Sequence, residues 1–133
     1  YDAVVVAAAG LRRLGIAFDE HEALPIDLCP PAPGQGALAV QIRAYDDELR
    51  ACVVALDDPA TRVAVTAERE LLRLMGGTCE IPLGAIGRSQ NGGVVLDAAL
   101  AGDDGVRRAS ASGSDPYRVA RRAADVLGAA AHV

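Results

Sequence analysis

The residue best placed for chemistry is Cys79, in the run Gly76-Gly77-Thr78-Cys79-Glu80-Ile81-Pro82-Leu83-Gly84. Glycines before it and a proline after it present the sulfur on a shaped loop. A thiolate nucleophile needs its ionised form favoured by a helix N-terminus, a cation or a histidine partner. The neighbouring sequence supplies none of these. Cys79 follows a predicted helix C-terminus, whose dipole opposes ionisation, and Glu80 adds a like charge. A Cys-His hydrolase is therefore poorly supported, and an inert loop or core cysteine stays open as the alternative. Cys29, between Leu28 and Pro30, and Cys52, on an apolar helix face, read as structural.

Two further segments could meet a ligand. In Pro33-Gly34-Gln35-Gly36-Ala37, residues without side chains flank Gln35 and let backbone N–H groups approach a ligand closely. Gln35 can both donate and accept, although a simple turn entering a strand has the same composition. In Gly10-Leu11-Arg12-Arg13-Leu14 a glycine turn, free helix N–H groups and an arginine could clamp a carboxylate. A solvated arginine pair on a helix is the competing reading.

These segments need elements to hold them. Asp2 to Ala8 is an apolar stretch of the kind buried in an α/β sheet, with candidate neighbour strands around Ile26 to Leu28 and Leu38 to Ile42. A chain that opens at Tyr1 and runs at once into core sequence is expected to be a fragment without its N-terminal part. Gly10 to Leu14 reads as a turn opening a short helix, and Leu24 to Gly36, rich in proline, as a constrained loop. Asp46-Asp47-Glu48 begins a helix carrying Leu49, Cys52, Val53 and Leu56 on one face. Asp58 caps a second helix, with Pro59 at its first position, that runs to about Met75 and ends at Gly76-Gly77. Leu83 to Arg88, Val94 to Ala101 and Val106 to Ser112 are separated by Asn91-Gly92-Gly93 and Asp103-Asp104-Gly105, two hairpin signals, and predict a three-stranded antiparallel meander. Asp115-Pro116 starts a last helix with Val119, Ala123, Val126 and Leu127 as its apolar stripe. The expected fold is an α+β C-terminal domain over residues 46–133, a three-stranded antiparallel sheet covered by helices, preceded in residues 1–45 by part of an α/β ligand-binding-protein-like domain.

Composition narrows the classes of function. With 133 residues, 51% hydrophobic, the chain can bury a sizeable core. Net charge is -5 and all 13 basic residues are arginine, so every cation is a planar fork suited to carboxylate or phosphate. An acidic balance and 3% aromatic content lack the footprint and the stacking surface of a nucleic-acid binder, and the expectation is no nucleic acid. The three cysteines form no CxxC pair and His21 and His132 stand isolated, which argues against a structural metal or a disulfide framework. No apolar run reaches bilayer length and no signal peptide is evident, so a cytoplasmic setting without membrane association is expected.

Taken together, the segments resemble the porphobilinogen deaminase family, also called hydroxymethylbilane synthase. The matching blocks are Asp2 to Gly15, Leu28 to Arg43 with Pro33-Gly34-Gln35-Gly36-Ala37, Thr66-Ala67-Glu68-Arg69, and the Cys79 loop through Pro82-Leu83-Gly84. The resemblance implies that Cys79 carries a dipyrromethane cofactor through a thioether, as a permanent tether alkylated once. It implies a transferase in haem biosynthesis that adds four porphobilinogen units head to tail, each losing ammonia, before water releases hydroxymethylbilane. Arg13, Gly10, Gln35 and Gly36 would hold the acetate and propionate groups of the cofactor and pyrrole chain, with Ala7 lining the cleft. No catalytic residue is expected in this stretch, because the family's catalytic aspartate and most substrate-binding arginines belong to N-terminal domains that would be its partners. One departure is Thr78, where the family carries glycine directly before the cysteine. The competing readings are a non-catalytic assembly or regulatory module and a thiol enzyme using Cys79.

Overall fold

The computed structural model describes residues 2–17, 21–78 and 80–128, so Cys79 and His132 lie outside the described residues. Its elements are α1 (Ala8–Leu14), α2 (Asp47–Val53) running into a 3₁₀ turn (Val54–Leu56), α3 (Pro59–Leu74), β1 (Leu83–Gln90), β2 (Gly93–Gly102), β3 (Gly105–Gly113) and α4 (Pro116–Leu127).

The three strands form one antiparallel sheet in the order β1-β2-β3. Asn91 and Gly92, with φ of 51° and 75°, make the two-residue turn between the paired residues Gln90 and Gly93. Positive φ at both positions is the twist that closes a hairpin, and asparagine and glycine tolerate it best. Asp103 and Asp104 turn the chain again between Gly102 and Gly105.

Registers Leu83↔Leu100, Ala85↔Ala98 and Ala98↔Ala109 bring small and branched apolar side chains to one face, where α3 and α4 pack. The core joins Ala67 and Leu71 of α3, Val94 and Leu96 of β2, and Val119, Ala120, Ala123 and Leu127 of α4, all buried. This is the expected α+β architecture, with one correction. Val126 is 63% exposed, and Ala120 and Ala124 fill the stripe in its place. At 3.6 residues per turn the buried residues form an arc from Val119 through Ala123, Leu127 and Ala120 to Ala124, and Val126 falls just outside it, beyond Val119.

The helix starts follow from side-chain capping. Asp115 accepts from the N–H groups of Tyr117 and Arg118, and Asp58 accepts from Thr61 N at 2.6 Å, each followed by proline at the first helical position. The Thr61 N–H, then the Thr61 hydroxyl, hold the Asp58 carboxyl below its ordinary value. A lowered folded-state value means that the cap's stabilisation is fully present above the unfolded aspartate value, about 3.9. It is lost as pH falls through the lowered folded value. Denaturant melts between about pH 6 and pH 2 should therefore show a fall in stability at the acid end that Asp58→Asn, which keeps an acceptor but cannot titrate, makes shallower. An unchanged slope in the variant would exclude Asp58 as its source.

The first 45 residues differ from the sequence expectation. Residues 2–7 and 38–42 are irregular and Ile26 to Leu28 form a turn, so the three expected strands are absent among the described residues. Val4, Val5 and Leu38 are exposed, at 73%, 79% and 89%. An apolar run becomes a strand only when a neighbour takes its backbone N–H and C=O groups, and the described sheet ladder pairs only β1, β2 and β3 with one another. The α1 helix begins at Ala8, earlier than expected, and ends on Gly15 in the left-handed region at φ 64°. On α2 no residue is buried, and Cys29 and Cys52 are both exposed, which corrects the reading of the two as packed structural side chains.

Candidate functional site

Residues 27–34 run as a strap around the free edge of the sheet. Arg108 of β3 donates to the carbonyls of Asp27, at 2.5 Å, and Leu28, at 3.2 Å, across the sheet face opposite the helices. Pro30 then lies over Gly84, where a Cβ would come within 2.5 Å of the Pro30 carbonyl oxygen. At the β1 edge Ala85 N donates to Pro31 O at 2.8 Å. Edge N–H groups left open invite pairing with other chains, and the strap covers this one.

Past the edge, Ala32-Pro33-Gly34-Gln35 makes a turn closed by Gln35 N donating to Ala32 O at 3.0 Å, with proline second and Gly34 third at φ 78°. That is the type II pattern, which requires a residue tolerant of positive φ in the third place. The Gln35 side chain is partly committed, since its Oε1 accepts from Ala32 N at 3.0 Å. Gln35 and Gly36 are both exposed, and a Cβ at Gly36 would meet nothing within 4 Å. Gly34 N donates to Glu68 Oε2 at 2.6 Å, and Gly87 N of β1 donates to Glu68 Oε1 at 2.7 Å.

Glu68 lies in the block Thr66-Ala67-Glu68-Arg69, and the sequence alone gives it no role. The available signal was positional: Glu68 falls within the buried stripe of α3 beside Ala64, Ala67 and Leu71, and a carboxylate there must find donors.

The remaining predicted residues lie apart from this cluster. Ala7 is the N-cap of α1 and Gly10 lies within it, Gly10 N donates to Ala7 O at 2.9 Å, and α1 packs against no other described element. Arg13 is exposed and makes no hydrogen bond or ion pair with a described residue. The Cys79 loop is anchored on both sides. Gly76 and Gly77, with φ of 111° and 67°, end α3 as Gly77 N donates to Leu72 O at 2.8 Å, and Ile81 packs on the core before β1 begins. Thr78 and Glu80, which flank the cysteine, are exposed. Among the described residues no group of three or more His, Cys, Asp or Glu could hold a metal ion, and no helix is long and apolar enough to cross a membrane.

The geometry defines an α+β unit in which glycines 76 and 77 end α3 and a glycine loop is held to the middle of that helix by Glu68. Residues 1–51 match the family model described as "Porphobilinogen deaminase, dipyromethane cofactor binding domain", and residues 62–129 match "Porphobilinogen deaminase, C-terminal domain". The chain belongs to the porphobilinogen deaminase family. Curated relatives carrying that name include proteins from Geobacillus kaustophilus, 45% identical over 130 residues, and Thiobacillus denitrificans, 40% identical over 131. A third, from Roseiflexus castenholzii, is 43% identical over 130 residues. Each alignment covers 96% of this chain but only 42–43% of the relative, so the chain spans about two fifths of their length.

Proposed function

We propose that the chain is the cofactor-carrying part of a hydroxymethylbilane synthase, with residues 1–45 completing an α/β domain and residues 46–133 forming the next. The whole protein joins four porphobilinogen units with loss of four ammonia molecules and one addition of water, in the cytoplasm. The observation that carries this reading is the succession of two family matches, in order, over residues 1–51 and 62–129.

The residues present suit a covalently held group rich in carboxylates. Arg13 has no carboxylate partner among the described residues, and Gln35 and Gly36 leave donors open to solvent. A guanidinium and backbone N–H groups are the donors that acetate and propionate side chains require. Cys79 would tether the dipyrromethane, with Arg13, Gly10, Gln35 and Gly36 pairing its side chains and Ala7 lining the cleft. When bound, the dipyrromethane supplies the pyrrole end to which substrate units are added. The sulfur, alkylated once, needs no machinery to lower its pKa, which fits a loop at a helix C-terminus. The groups that move protons during turnover belong to the part of the protein beyond this chain.

Intact mass spectrometry of the chain, produced together with the complementary N-terminal part of a relative, should show an adduct of two pyrrole units that Cys79→Ser abolishes. An adduct that survives Cys79→Ser would overturn the attachment site, and turnover of porphobilinogen by the chain alone would overturn the division of labour. Fast alkylation of Cys79 near neutral pH would favour a thiol enzyme instead.

A further inference from the structure

Glu68 is 7% exposed and stands 34 residues from one of its partners and 19 from the other. A carboxylate at that depth is costly to desolvate, and neither partner is a cation. Each carboxylate oxygen instead takes one backbone N–H, Oε2 from Gly34 and Oε1 from Gly87. Filling space on α3 would need only an apolar side chain, as Ala67 and Leu71 provide beside it. An acceptor pair aimed at two donors on separate segments does something an apolar residue cannot. It ties the turn containing Gly34 to the edge of β1.

We propose that Glu68 is a positioning residue, whose carboxylate clamps the glycine loop at Gly34 to β1 at Gly87 and so fixes where Gln35 and Gly36 stand relative to the sheet. The proposal rests on reading residues 33–36 as a ligand loop. The two earlier anchors of the strap, Arg108 on Asp27 and Leu28 and Ala85 on Pro31, lie upstream of the turn, so they hold its approach and leave its tip free to swing. Glu68 is the contact adjacent to Gln35. Its two-oxygen geometry also makes glutamine a poor substitute, because a glutamine Nε2 would face an N–H donor at one of the two ends.

Amide hydrogen exchange on the unmodified chain and on Glu68→Gln tests this. In the unmodified chain the Gly34 amide should be protected roughly 100-fold over an unstructured chain. In Glu68→Gln the Gly34 or Gly87 amide should exchange on the order of 10-fold faster, with Leu96 of the core changed by less than about 2-fold. A merely space-filling glutamate would leave the isosteric variant indistinguishable from the unmodified chain, and that result overturns the clamp. Acceleration spread equally over Leu96 would also overturn it, by showing global destabilisation in place of a local release. Should the variant not fold, the unmodified chain still decides: a through-hydrogen-bond coupling from Gly34 N to the Glu68 carboxylate carbon supports the clamp, and coil-rate exchange at Gly34 refutes it. Protection at Gly34 without an adduct on Cys79 would uphold the clamp while sinking the cofactor reading, and an adduct with an unprotected Gly34 would do the reverse.

Discussion

Leu96→Ala is expected to lower the free energy of unfolding by about 3–4 kcal/mol, a loss that urea denaturation would read as a lower midpoint at unchanged slope. Leu96 is wholly buried in the middle of β2, between Gly87 on β1 and Ala111 on β3, in the core closed by α3 and α4. Its cross-strand neighbours are a glycine and an alanine, so no large side chain beside it on the sheet can move in to fill the space. A site that cannot collapse sits at the costly end of the range for leucine truncation. Against a total stability of about 5–15 kcal/mol the loss is large, and it corresponds to a fall in Tm on the order of 10–20 °C. Val126→Ala supplies the contrast, since an equally apolar residue that is 63% exposed should change stability by less than about 0.5 kcal/mol. A loss below about 1 kcal/mol for Leu96→Ala would mean that the interface between sheet and helices is not the core.

The contrast between Leu96 and Val126 shows where the sequence is a sufficient guide. The meander was legible because its turns carry their own chemistry. Asn91-Gly92 accepts two positive φ values at little cost, and Asp103-Asp104-Gly105 marks the second turn. Capping made α3 and α4 equally plain, through Asp58-Pro59 and Asp115-Pro116. The stripe on α4 differs by a single residue because valine is the stronger core former and Val126 keeps same-face spacing to Val119 and Ala123, whereas the fold packs the side of the helix that carries Ala120 and Ala124.

The first 45 residues were less legible for a different reason. A run such as Val4-Val5-Val6 records that something should cover it but not what, and strand pairing is a property of two segments. The same limit applies to the candidate site. Local composition marked Pro33-Gly34-Gln35-Gly36 and the Cys79 loop, because glycine and proline announce backbone shape in place. The contact that holds the first of these depends on Glu68, distant in sequence and carried on an apolar face, and only the folded chain brings the two together.

Gly87→Val should be the substitution that links stability to the site. A Cβ at this position would lie 2.7 Å from the Ala64 carbonyl oxygen, 2.9 Å from its Cα and 3.0 Å from its carbonyl carbon. All three are backbone atoms of α3, so no side chain can rotate aside and the helix itself must move off the strand. Overpacking of this kind costs about 1–3 kcal/mol, and the branched valine should fall at or above the upper figure. The strain does not stay local, because the helix that must move carries Glu68, and Gly87 N is one of the two donors that Glu68 holds. Lifting α3 from β1 therefore lengthens the Gly87 bond and draws the carboxylate away from Gly34 at the same time. Denaturation should show the loss of stability, and hydrogen exchange should show the Gly34 amide released together with that of Gly87. Ala64→Gly, which keeps the carbonyl in place, should not restore either. A Gly87→Val chain as stable as the unmodified one, with Gly34 still protected, would show that α3 and β1 do not meet as closely as 2.7 Å implies.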